Sequence, residues 1–166
     1  MTMKDISELN EDLSNLEEWI AGLPPQIGNT YLNFFLDRFK EQGWRDAGLL
    51  KRWKERTTKG KNKPGPSILI QSGRLKRSLR MRPKGDRIIF STDVPYAKVH
   101  NEGGLIKKNI RVRSHVRRQR GKRTKVREHN RKVNTEMPQR QYMGRSGFAD
   151  QRIIKQLERP LQKIFN

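Results

Sequence analysis

The side chains in this chain that could do chemistry are few and scattered. His100 stands two residues before Glu102, His115 and His129 lie in a basic run, and Ser72 opens Ser72-Gly73-Arg74-Leu75. A His–Glu pair can move protons, two histidines can begin a metal site, and a serine on a tight turn can act as a nucleophile. The spacings argue against all three. Positions i and i+2 of a helix do not face each other, so His100 and Glu102 diverge on the helix expected there. Ser72 lacks the Gly-x-Ser-x-Gly pattern, and nothing near it suggests an Asp–His pair. The Arg-Glu-His-Asn run at 127–130 is similar to a fragment of a metal-dependent nuclease motif whose other elements are missing. Gly121-Lys122-Arg123-Thr124 has no glycine five positions earlier and is no phosphate loop. The expectation is a non-enzymatic chain with no metal and no cofactor.

The chemistry the sequence does concentrate is positive charge. Residues 111–132 hold eleven Arg or Lys and one acid, Glu128. The candidate DNA or partner contacts are Arg111, Arg113, Arg117, Arg118, Arg120, Lys122, Arg123, Lys125 and Arg127. A charge run is usually a solvated surface, but this one is dense enough to need an anionic partner. Double-stranded DNA qualifies, contacted through phosphates without sequence reading. An acidic face of another subunit also qualifies. The run contains no aromatic residue, so stacking on single-stranded bases is not expected.

The whole composition fits a chain made for polyanions or for an assembly. Its 166 residues suggest a single domain of 1–166, with a formal net charge of +21 and a pI near 11.0. There is no cysteine, which excludes disulfides and thiol catalysis. No apolar run suits a membrane span, and the acidic start, MTMKDISELNEDL, lacks the apolar core of a secretory leader. No membrane partner is expected, and the chain is expected to be soluble in a cytoplasm. Charge is polarised: residues 1–20 carry six acids and one lysine.

Elements to position these residues follow from periodicity. Ile6, Leu9, Leu13, Leu16 and Ile20 predict an acidic amphipathic helix over 1–24 that GLPP ends. A second helix is predicted from Pro25 to Gln42, with Ile27, Tyr31, Phe34, Phe35 and Phe39 as its core stripe. Residues 44–66 read as irregular, ending in the basic loop TTKGKNKPGP. Ser72 is expected to cap a short helix burying Leu75 and Leu79. A hairpin turning at Pro83–Asp86 follows, then a short helix capped by Asp93 and stopped by Gly103-Gly104. Residues 107–136 form a basic arm, read as a long hairpin with Gly121 near its middle, or else as a disordered loop. A last helix is predicted from Gly147 to Phe165 within 137–166. No internal repeat is evident. The fold class is α+β: a small antiparallel sheet packed with N- and C-terminal helices in a 25–106 body, plus the arm.

Three segments, ILIQSGRLKRSL, VPYAKVHNEGG and MPQRQYMGRS, together resemble the phage virion morphogenesis family, the tail-completion or head–tail joining proteins. Ser72, Gly73, Arg74, Leu75 and Ser78 match the first motif. Tyr96, Ala97, His100, Gly103 and Gly104 match the second, and Pro138, Arg140, Tyr142, Met143 and Gly144 the third. Glu102 and Gln141 depart from the family pattern. The resemblance implies a structural virion part at the neck or upper tail, present in the host bacterial cytoplasm during assembly. It also implies a homo-oligomeric ring and other phage neck or tail proteins as partners. The competing reading is a nucleic-acid-binding module unrelated to virions; a nuclease acting through His100 or His129 ranks below both.

Overall fold

The computed structural model describes residues 6–55, 68–85, 87–119 and 121–165. The loop expected at 57–66, Asp86 of the predicted turn, and Arg120 lie outside the described residues.

The first element corrects the sequence reading. Helix α1 runs unbroken from Ile6 to Glu41, with Pro24 and Pro25 inside it. Two prolines remove the amides that would bond the carbonyls of Ile20 and Ala21. Both of those residues are exposed, so water can serve the freed oxygens. The apolar stripe also keeps its phase across the prolines: Leu16, Ile20, Leu23, Ile27, Tyr31 and Phe34 step by three or four throughout. Helical phase, rather than local propensity, decides the outcome.

A second correction follows at once. Strands β1 (Gly43–Asp46) and β2 (Leu49–Arg52) form a hairpin where irregular chain was expected. Ala47 (φ 43°) and Gly48 (φ 85°) make its two-residue turn, both left-handed, as such hairpins require. Trp44 and Trp53, at the ends of this hairpin, pack edge-on against Phe34 and Phe39 at 5.4 and 5.7 Å.

Helix α2 (Arg74–Ser78) buries Leu75 and Ser78. Strands β3 (Arg80–Lys84) and β4 (Arg87–Ser91) form the expected hairpin, though Pro83 and Lys84 belong to the strand rather than the turn. Helix α3 (Ala97–Glu102) begins later than predicted, and Asp93 does not cap it. Thr92 Oγ1 instead accepts the Val94 amide at 3.2 Å. Strands β5 (Gly104–Val112), β6 (His115–Gln119), β7 (Lys122–Val126) and β8 (His129–Met137) build the arm. Helix α4 (Gly147–Phe165) closes the fold.

The architecture is α+β, but among the described residues the strands form four separate two-stranded antiparallel pairs rather than one sheet. The core lies between the C-terminal half of α1 and the pieces laid on it. Phe34, Phe35 and Phe39 meet Trp44, Trp53, Leu75, Leu79, Ala97, Tyr142 and Ala149, all buried. Each fully buried large side chain contributes roughly 1.5–3 kcal/mol, so this cluster is what holds the short hairpins in place.

Candidate assembly and nucleic-acid interface

The arm is one ribbon. Gly104 pairs with Met137, Val112 with His129, His115 with Val126 and Gln119 with Lys122. The offset is the same in both ladders, so the interruption at 113–114 and 127–128 inserts no residue into either strand. The ladder ends at the Gln119–Lys122 pair, and Gly121, just before Lys122, adopts φ 79°. At about 3.3 Å per residue the ribbon reaches roughly 50 Å. The alternation of Ile110, Val112 and Val116 with charge, and the central glycine, thus mark a hairpin and not a disordered loop.

The interruption has a sequence signature that period-two alternation does not reveal. Val112-Arg113-Ser114-His115 on one strand faces Val126-Arg127-Glu128-His129 on the other, a repeated Val-Arg-x-His. Each histidine Nδ1 lies 2.9 Å from the carbonyl oxygen two residues before it, Arg113 and Arg127 respectively. A carbonyl only accepts, so each ring donates from Nδ1. These bonds tie both rings to their own strands. Among the described residues no group of three or more His, Asp or Glu converges.

Charge lies on both faces of the ribbon. In the distal ladder Arg118, Arg123 and Lys125 share one face, while Arg117 and Lys122 share the other. Arg111 projects from β5, and Arg113 and Arg127 sit at the interruption. All eight described candidate contacts are exposed. Arg118 stands directly opposite Arg123, a like-charge pair that is destabilising unless an anion lies between. Glu128 offsets part of the charge by bonding Arg111 diagonally across the strands. That bridge is exposed and adds little.

The three motifs converge below the arm. Ser72, Tyr96, His100, Pro138 and Arg140 line one open cleft of about 550 Å³, together with Glu136 at the ribbon's base. Each of the motifs makes contacts that hold the fold together. Ser72 Oγ lies 3.4 Å from the Arg74 amide, too long for a strong cap, and the left-handed Gly73 is the residue that begins the helix. Ser78 Oγ bonds the Leu75 carbonyl and Thr92 Oγ1. Tyr96 packs edge-on against His100 at 5.7 Å. The Ala97 carbonyl accepts the Tyr142 hydroxyl at 3.1 Å, and the His100 carbonyl accepts the Arg140 amide at 2.8 Å. Gly103 (φ 77°) lets the chain turn from α3 into the arm, where a Cβ would lie 2.9 Å from the Gln139 nitrogen. Gly104 (φ 130°) continues that turn, and Gly144 (φ 152°) serves the segment before α4.

Several side chains that fix this geometry fall outside the periodic patterns of the sequence. Asn101 Oδ1 accepts the amides of Tyr142 and Met143, both at 3.0 Å. Trp53 donates its indole N–H to the Gln141 carbonyl at 2.8 Å. Arg38, on α1 and only 2% exposed, bonds Glu41 and the Phe34 carbonyl and lies over the Phe34 ring. Burial pulls its guanidinium below the ordinary value, and Glu41 opposes that pull. Burial also pushes the hydroxyls of Tyr142 and Tyr31 up to about 12; at Tyr31 a hydrogen bond to Asp150 adds to the effect.

Around the body, the N-terminal half of α1 presents Leu13 (57% exposed) and Ile20 (52%) on an acidic surface. Among the described residues no helix is long and apolar enough to cross a membrane. Comparison with curated proteins and with solved structures gives no match. Comparison with protein families matches residues 8–162, nearly the whole chain and all three motifs, to the phage virion morphogenesis family. The chain therefore belongs to the phage virion morphogenesis family, and its role lies in the assembly of a phage virion.

Proposed function

We propose that this protein is a non-enzymatic building block that completes the tail or joins it to the head, working as one copy in a ring at the neck or upper tail. The observation that carries this reading is the ribbon of β5–β8. It extends roughly 50 Å with cations on both faces, which suits a site between two anionic surfaces better than a single flat contact. In a ring, the body makes lateral and axial contacts, and the arm crosses towards neighbouring subunits. The Arg118–Arg123 pair at its tip suits non-specific contact with phosphates of double-stranded DNA in the channel.

The test is genetic and structural together. The phage that encodes the protein is given a version in which residues 110–132 are replaced by a short turn. The expected outcome is a fall in infectious titre of several orders of magnitude, with heads and tails accumulating unjoined by electron microscopy. Normal particles at normal titre would sink the reading. The rival, a nucleic-acid module acting outside the virion, draws on the same Arg pair. It predicts tight binding by the monomer, with a salt slope of several counterions, and no assembly defect in the arm-deleted phage.

A further inference from the structure

We infer that the N-terminal half of α1 is the socket for the basic arm of a second copy of this chain. The inference rests on the ring reading above and names the contact that would build the ring.

The helix supplies the first half of the argument. Residues 6–23 contain Glu8, Glu11, Asp12, Glu17 and Glu18 and no basic residue. The core-forming residues of α1 all lie beyond this stretch, from Gly28 to Phe39. Leu13, Glu17 and Ile20 are spaced i, i+4 and i+7 and so share one face, and all three are exposed. That face is an apolar stripe with a carboxylate in its middle. At 1.5 Å per residue the stretch is about 27 Å long.

The arm supplies the complement. Two of its exposed apolar residues, Ile110 (46%) and Val116 (62%), stand among cations: Val116 shares its face with Arg118, Arg123 and Lys125, and Ile110 stands opposite Arg131. An apolar stripe set among carboxylates meets apolar residues set among guanidinium groups, with opposite net charge on each. Within one chain α1 packs mainly against β1, β3, β4 and α4. The helix of one copy and the arm of the next thus offer complementary surfaces. Repeating the contact head to tail is heterologous, and it closes into a ring when the rotation allows.

The absence of native cysteine makes the test clean. Leu13→Cys is introduced in one preparation, enlarged by a tag, and Val116→Cys or Ile110→Cys in another. The nuclease-treated proteins are mixed and mildly oxidised. The expected product is the mixed disulfide, in excess over either homodimer, at about 50 mM salt, and several-fold less of it at about 1 M. Glu17→Lys should lower both the mixed product and the mass by light scattering. Glu158→Lys, the same charge change on α4, should not. Adding Arg118→Glu to Glu17→Lys should restore the product. Oligomers that form without the mixed disulfide, or that respond equally to Glu17→Lys and Glu158→Lys, would overturn the socket and leave the ring intact. A monomer under all conditions would overturn the socket as well, while the virion role would still stand or fall on the arm-deleted phage.

Discussion

Arg140 shows how a single cation can serve architecture in a chain full of cations. It is 6% exposed, and its Nε and Nη2 both donate to the Lys54 carbonyl, at 3.2 and 3.1 Å. Its backbone amide is bonded to α3. Lysine cannot present two donors in that fork, so Arg140→Lys should cost about 1.5–3 kcal/mol in urea unfolding. Tyr142 offers a pH test with a definite sign. Its hydroxyl titrates near 10.0 when unfolded and about 12 when folded. Its contribution to stability is therefore complete below pH 10 and is lost as pH rises towards 12. Tyr142→Phe removes the hydroxyl bonded to Ala97, costing about 1 kcal/mol at neutral pH. Its unfolding free energy should then fall less steeply than the wild type's between pH 10 and 12. Equal slopes would show that the hydroxyl does not titrate as its burial implies.

At the scale of elements, the proline pair in α1 gives the sharpest contrast between local and tertiary signals. Each interior proline costs roughly 3 kcal/mol relative to alanine, and the surrounding core tolerates that loss. Pro25 is exposed, so Pro25→Ala should raise the melting temperature with no change in circular dichroism. A fall in stability would mean that the chain bends there and needs the proline. The same contrast explains which elements were legible. The arm could be read as a hairpin from the alternation at 110–116 and the glycine beyond it, although its few apolar anchors fit a disordered loop as well. The β1–β2 hairpin could not, since its strands have four residues each and its Ala-Gly turn lacks the usual Asn-Gly signal. The three motifs were recognisable as strings, but their convergence on one cleft depends on Asn101, Trp53 and Gln42, residues that no periodic pattern singles out. Gln42, for example, clamps Ile68 from both sides, accepting its amide at 2.6 Å and donating to its carbonyl at 3.2 Å.

For the whole molecule, the net charge of +21 matters most through where it is held. The acidic half of α1 and the basic ribbon keep opposite charges on separate extensions of one core. Affinity for DNA should consequently be an arm property. Replacing Arg117, Arg118 and Arg123 with alanine should flatten the slope of log affinity against log salt by about 0.9 for each phosphate that the arm no longer neutralises, measured on any duplex sequence. An unchanged slope would place DNA binding elsewhere on the surface.

The constant pairing offset of the ribbon has a consequence for how such an arm can change in length. One residue deleted from one strand would put every pair beyond it out of step. One residue deleted from each strand would preserve the pairing but turn the distal side chains over. Only the removal or insertion of two cross-strand pairs leaves both pairing and orientation intact, moving the tip by about 7 Å. The arm is a gauge with coarse graduations, and a chain that must span a gap of fixed width can be refitted to a wider or narrower one only in those steps.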